Sequence, residues 1–154
     1  MKNKIDLNQK LSEHFQLWEF VTSQTAERFG IDNTPSDQII RSLKKLCESV
    51  LEPARFALGP IRISSGYRCE ALNKKAGGSK TSAHMLGFAA DLIPLKVTNL
   101  ELAKWLSRNV EYDEIILEYG TLQEPAWIHI SSDPRNRREL MRIVKGSKLE
   151  NIKL

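Results

Sequence analysis

Three side chains that could bind a metal ion stand in two short stretches of this sequence. His84 and Asp91 lie seven residues apart with Gly87 between them, and His129 lies in the alternating stretch 127–131. Two imidazoles and one carboxylate fill three positions of a tetrahedral zinc site and leave the fourth open for water or substrate. Mg²⁺ and Ca²⁺ prefer oxygen ligands, so this set favours zinc.

The spacing of His84 and Asp91 requires the chain to turn between them if they share one ion. A straight strand would separate them by more than about 20 Å, and a straight helix by roughly 10 Å. Gly87 can make this turn because glycine tolerates positive φ. We expect Asp91 and His129 on neighbouring strands. A single buried histidine is more often a core residue than a ligand, so the prediction depends on all three together.

The elements that must position these residues can be read from hydrophobic periodicity and turn residues. Ser36 is a predicted N-cap for a long amphipathic helix that ends at Gly59 and covers one face of a sheet. Further helices are predicted at 22–29, 69–76 and 99–110, and strands at 61–64, 87–93, 114–119 and 126–131. The last twenty residues fit either a helix or a hairpin, and we favour the hairpin.

Composition limits the class of protein. A length of 154 residues with 41% hydrophobic and 27% charged residues is ordinary for one globular domain, 1–154. We expect no membrane span and see no signal peptide, which predicts synthesis in the cytoplasm. The two cysteines do not indicate a disulfide framework.

From residue 135 onward, seven Lys and Arg face two Glu. This basic segment is a solvated face or a surface for an anionic polymer, and without interleaved aromatic residues we expect no specific nucleic-acid binding.

The candidate metal centre belongs to a longer pattern of five elements in a fixed order. They are Leu17-Trp18-Glu19-Phe20 with Gly30-Ile31-Asp32-Asn33, then Ile63-Ser64-Ser65-Gly66-Tyr67-Arg68, then Leu72-Asn73 with Gly77-Gly78-Ser79, then Ser82-x-His84-x-x-Gly87-x-Ala89-x-Asp91, and Trp127-Ile128-His129. This pattern resembles the zinc D-Ala-D-Ala metallopeptidases, which include VanX-type dipeptidases, D-Ala-D-Ala carboxypeptidases and phage L-alanyl-D-glutamate endolysins. The similarity covers about residues 12–137, resembles the phage-type branch most, and leaves 138–154 as a basic C-terminal extension.

The resemblance implies an α+β fold of the hedgehog and D-Ala-D-Ala peptidase type. In that fold a small antiparallel sheet carries one zinc ion and is flanked by helices. It implies that His84, Asp91 and His129 are the zinc ligands. Arg68 would hold a substrate carbonyl or carboxylate, and Ser82 would support the site or contact substrate. Arg68 could instead be an ordinary surface charge, and Ser82 could simply be a loop residue.

The general base is where this sequence departs from the family pattern. Many relatives carry Asp or Glu three residues before the last histidine, and here that position is Ala126. Two glutamates lie nearby. Glu118 ends an apolar strand, and alternation along that strand places its side chain on the face expected to carry the metal. Glu124 lies in the following loop. We favour Glu118 as the general base on this parity.

The resemblance implies hydrolysis of a peptide bond next to a D-amino acid in peptidoglycan stem peptides. Without a signal peptide, we expect a monomeric phage or prophage endolysin that reaches the cell wall on release from the cytoplasm. Two alternatives stay open. One is a VanX-like dipeptidase, and the other is a non-catalytic zinc domain that binds the wall or forms part of a virion.

Overall fold

The computed structural model describes residues 4–154, which form α-helices, one π-helical segment, one 3-10 helix and six strands. The helices are α1 Leu17–Val21, α2 Gln24–Phe29, α3 Asp37–Leu46, the π-helical segment Cys47–Leu51, α4 Glu52–Leu58, α5 Glu70–Lys75, the 3-10 helix Ala83–Leu86 and α6 Asn99–Asn109. The strands are β1 Ile61–Ser65, β2 Ala89–Pro94, β3 Glu114–Glu118, β4 Trp127–Ser131, β5 Glu139–Ile143 and β6 Glu150–Asn151. None of the helices in residues 4–154 has the length and apolar character that a membrane span needs.

The six strands form one sheet in the order β1-β2-β4-β3-β5-β6. Four of its five strand pairs are antiparallel, as expected. The fifth pair, β3 with β5, is parallel, so the prediction of a small antiparallel sheet was wrong for this pair. The short link 132–138 explains the difference. Because β4 runs against β3, it ends beside the start of β3, and a chain that enters the sheet there must run in the direction of β3.

The long predicted helix is present and covers one face of the sheet. Ser36 caps it, since its Oγ accepts a hydrogen bond from the backbone N–H of Ile39. Helical geometry continues through the π-helical segment, which the periodicity did not predict, to Leu58. Its apolar side packs with α6 against the alternate strand residues that face the core, namely Ile61, Ile63, Ala90, Leu92, Ile115, Leu117, Ile128 and Ile130. The strand residues that alternate with these point to the opposite face of the sheet.

The C-terminal residues are part of this sheet. β5 and β6 form the hairpin that we favoured, with the turn at Lys145–Ser147. Met141 is 7% exposed and is the register partner of Ile116 in β3. The basic C-terminal segment therefore covers what would otherwise be a free edge of β3. Residues 138–154 are thus an integral part of the sheet and not an extension beyond the domain.

Met141→Ala tests this role of the C-terminal hairpin. We expect it to lower the free energy of unfolding by about 2 kcal/mol, because a buried methionine loses its apolar contacts. Lys148→Ala, an exposed change in the same hairpin, should stay within about 0.5 kcal/mol of the wild type. Urea denaturation measures both variants. Equal stability of the two would indicate that residues 138–154 are a solvated tail.

Candidate active site

A cleft of about 540 Å³ opens on the face of the sheet away from the long helix. All six favoured site residues line it: Arg68, Ser82, His84, Asp91, Glu118 and His129. Glu124, the alternative base, is exposed and lines a separate depression beside Pro125. The fold thus brings together the residues that the sequence singled out and leaves Glu124 outside.

The pairing of β2 with β4 places Asp91 directly opposite His129. The neighbours of each residue, Ala90 and Leu92 on β2 and Ile128 and Ile130 on β4, are fully buried in the core. Because side chains alternate along a strand, burial of these neighbours turns both polar residues to the cleft. The Oδ1 atom of Asp91 lies 3.1 Å from Nδ1 of His129.

His84 reaches the same point through the turn that its spacing from Asp91 required. It lies in the 3-10 helix, whose N-cap is Ser82, with Oγ accepting from the backbone N–H of His84. Gly87 ends the helix in the left-handed region at φ +73°, and a Cβ there would lie 2.9 Å from the carbonyl oxygen of Ile39. Alanine at this position would be both strained and crowded. Ser82 therefore supports the turn that carries His84.

The carbonyl oxygen of Gly66 fixes the orientation of the His84 ring. It lies 2.6 Å from Nδ1 of His84, and since a carbonyl can only accept, Nδ1 carries the hydrogen. The Nε2 lone pair then faces Asp91 and His129. Gly66 itself packs so tightly that a Cβ would lie 2.6 Å from the backbone of Phe20.

The three converging atoms have the dimensions of a zinc site. His84 Nε2 lies 3.2 Å from His129 Nδ1 and 3.3 Å from Asp91 Oδ1, and the third side of the triangle is the 3.1 Å contact of Asp91 with His129. Ligands at about 2.0 to 2.1 Å in a tetrahedron lie about 3.3 to 3.4 Å from one another. Within residues 4–154, this is the one group of at least three His, Cys, Asp or Glu side chains found close enough to share an ion.

The chemistry of this triangle also fits a cation. All three residues are buried, at 3% to 6% exposure. Burial alone would raise the pKa of Asp91, but the two histidines in their protonated form, first His84 and then His129, hold that pKa well below its usual range, so the carboxyl group stays ionised. Burial lowers the pKa of His84 and favours its neutral form. A carboxylate and a neutral imidazole then direct their lone pairs at one buried point, which a metal ion can satisfy.

Arg68 forms a hydrogen-bonded ion pair with Asp91, one of the three residues of the triangle. Its Nη2 donates to Asp91 Oδ2 at 3.1 Å, and its Nε donates to Ser65 Oγ at 3.1 Å. The guanidinium is therefore fixed in the wall of the cleft, with its side chain 16% exposed. A guanidinium has five N–H donors, and these two bonds use two of them.

Glu118 lies at the end of β3, on the same face as the residue that pairs with His129. Ile116 is the register partner of His129, and Glu118 follows it by two positions. Burial, followed by the charge of Asp91, raises the pKa of Glu118 from an ordinary value of 4.5 to about 7. A carboxyl group with such a pKa can accept and return a proton near neutral pH.

Several residues had no role in the cleft predicted from the sequence. They are Ser65, Gly66, Glu114, Trp127, Arg135, Arg137, Ile143 and Leu149, which line the cleft or hold its residues in place. Alternation along β3 could have identified Glu114, which shares the parity of Glu118. No side-chain signal could have identified Gly66, because it acts through its carbonyl oxygen.

Comparison with known proteins agrees with this geometry. A family model described as Peptidase M15 matches residues 13–131 and so spans all three members of the triangle together with Arg68 and Glu118. No curated protein sequence matches the chain. Because the matched region is well over half of the sequence, the chain belongs to the Peptidase M15 family of zinc-dependent metallopeptidases.

Proposed function

We propose that this protein is a zinc peptidase that hydrolyses a peptide bond next to a D-amino acid in peptidoglycan stem peptides, as an endolysin of a phage or prophage. The observation that carries the proposal is the buried triangle of His84, Asp91 and His129, open to a cleft that also holds Glu118 and Arg68. Membership in a peptidase family indicates that these residues catalyse peptide-bond hydrolysis. The matched family acts on cell-wall peptides.

His84, Asp91 and His129 would hold the zinc ion through Nε2, Oδ1 and Nδ1. When bound, zinc supplies Lewis acidity, which lowers the pKa of a water molecule towards 7 and polarises a carbonyl group. The protein supplies a rigid arrangement of ligands. The Gly66 carbonyl fixes one ring, and Arg68 holds the second oxygen of Asp91.

Glu118 is the proposed general base. It would take a proton from the attacking water and deliver it to the amine that leaves. Its pKa in the metal-free protein is raised to about 7, chiefly by burial. A group acts best as base and acid when its pKa lies near the working pH. Glu124 is exposed and lines a different depression, so its carboxylate is poorly located for this role.

Arg68 is the proposed electrostatic partner of the substrate. Fixed by Ser65 and Asp91, its remaining donors would bind the oxygen on which negative charge develops during attack. A donor that is held in place before the reaction needs no reorganisation, which is the source of its catalytic effect.

Glu118→Gln tests the catalytic assignment. We expect turnover to fall by about 100- to 10,000-fold, the usual contribution of a general base, while the zinc content of the purified protein stays unchanged. Glu124→Gln is the matched control and should lyse purified peptidoglycan sacculi at the wild-type rate. Metal analysis and loss of turbidity measure the two properties. Lysis by Glu118→Gln at the wild-type rate would overturn the role of Glu118.

The wild-type protein on two substrates tests the proposed reaction. We expect soluble stem-peptide fragments from sacculi, each cut beside a D-residue, as identified by mass spectrometry. Hydrolysis of free D-Ala-D-Ala with intact sacculi would indicate a dipeptidase instead. Wall binding without any chelator-sensitive cleavage would indicate a non-catalytic domain.

The raised pKa of Glu118 makes a separate prediction about stability. A carboxyl group with a folded pKa of about 7 and an ordinary value of 4.5 binds its proton more tightly in the folded state. Stability therefore falls as the pH rises through this interval. In metal-free protein, Glu118→Gln should gain stability over the wild type between about pH 5 and pH 8, by on the order of 2 kcal/mol.

Urea denaturation in the presence of a chelator measures this gain at each pH. Glu124→Gln, whose side chain is exposed, is the control for general loss of negative charge. A stability difference between Glu118→Gln and the wild type that does not change with pH would show that the Glu118 carboxyl is not perturbed by burial.

A further inference from the structure

The second ring nitrogen of His129 lies buried without a hydrogen-bond partner among the described residues. Nδ1 of this ring faces Asp91 and His84 in the triangle, whereas Nε2 points the other way. A ring nitrogen that binds a metal leaves the hydrogen on the other nitrogen, so Nε2 of His129 would become a donor. A buried donor needs an acceptor.

Glu114 offers that acceptor. Its Oε2 lies 3.8 Å from His129 Nε2, which is within reach of an ion pair but longer than a hydrogen bond. Glu114 lies on β3 with the same parity as Ile116, the register partner of His129. Its carboxylate is therefore on the cleft face beside the ring, and a small rotation of the side chain would close the gap.

The carboxylate of Glu114 is itself held by an arginine. Arg137 Nη2 donates to Glu114 Oε1 at 2.9 Å, which leaves Oε2 to face the histidine. Arg137 is in turn fixed by Asp113, whose fully buried carboxylate accepts from Nε at 3.0 Å and from Nη2 at 2.7 Å. Arg137 lies outside the matched region 13–131, so this support comes from the C-terminal segment of the chain.

We propose that Glu114 is a positioning residue for the metal centre, which accepts the Nε2–H of His129 and is held for this task by Arg137 and Asp113. The inference rests on the proposed zinc site. A carboxylate behind a histidine ligand fixes the ring and strengthens the nitrogen that faces the metal. This series of side-chain contacts, from Asp113 through Arg137 and Glu114 to His129, would thus connect the parallel strand pair to the cleft.

Glu139 provides a matched control because it shares the arginine but not the histidine. It is the register partner of Glu114 on β5, and its Oε2 lies 3.3 Å from Arg137 Nη1. Glu139→Ala removes one carboxylate from the same arginine and leaves Glu114 in place. A general effect of lost negative charge would therefore appear in both variants.

The experiment measures the zinc affinity of the purified full chain by competition with a chromophoric chelator. We expect Glu114→Ala to bind zinc about 10- to 100-fold more weakly than the wild type, as is usual when such a carboxylate is removed, and Glu139→Ala to stay within about threefold. Glu114→Gln keeps an oxygen that can accept the Nε2–H, so it should lose less affinity than Glu114→Ala. It should still bind zinc more weakly than the wild type, because its acceptor is uncharged. It also decides the outcome if Glu114→Ala fails to fold.

The visible spectrum of the Co²⁺-substituted protein gives a second measurement that does not depend on activity. Reorientation of the His129 ring should change the band shape in Glu114→Ala, whereas Glu139→Ala should match the wild type. Wild-type affinity and spectrum in both Glu114 variants would overturn the inference, as would an equal loss in Glu139→Ala. Normal zinc binding without peptide hydrolysis would instead overturn the proposed function alone, and a wild type that binds no zinc would overturn both.

Discussion

The convergence of His84, Asp91 and His129 on one buried point is the constraint around which the cleft face is arranged. Atoms with lone pairs repel one another when they are brought to about 3 Å in a medium of low polarity, and here they are 3.1 to 3.3 Å apart. The fold bears this cost through rigid backbone. The β2–β4 register fixes the positions of Asp91 and His129. The 3-10 helix that ends at Gly87 fixes the position of His84.

A layer of supporting groups keeps this arrangement in place. The Gly66 carbonyl orients one ring, Arg68 holds the free oxygen of Asp91, and Arg137 holds Glu114 beside the other ring. These supports come from two separate parts of the chain, the loop that follows β1 and the link between β4 and β5. Such a layer restricts the ligands before a metal binds, which reduces the entropy that binding would otherwise cost.

Local patterns predicted the residues whose chemistry and spacing are visible within a short stretch. The turn at Gly87, the cap at Ser36 and the alternation around His129 are of this kind, and each has the predicted conformation. Features that depend on distant partners were not predictable in the same way. The parallel pairing of β3 with β5 follows from a short link that has no special sequence, and the Gly66 carbonyl bond involves no side chain of its own residue. Glu114 had the necessary parity, but only the position of Arg137 shows why it faces His129.

X-ray absorption at the zinc edge tests the central claim most directly, since it reports the atoms bound to the ion without any assay of activity. For the zinc-loaded wild type we predict two imidazole nitrogens and at least one oxygen at about 2.0 to 2.2 Å, and for His129→Ala one imidazole fewer. A spectrum of the wild type that shows sulfur ligands or only oxygen ligands would contradict the account. An unchanged imidazole count in His129→Ala would do the same.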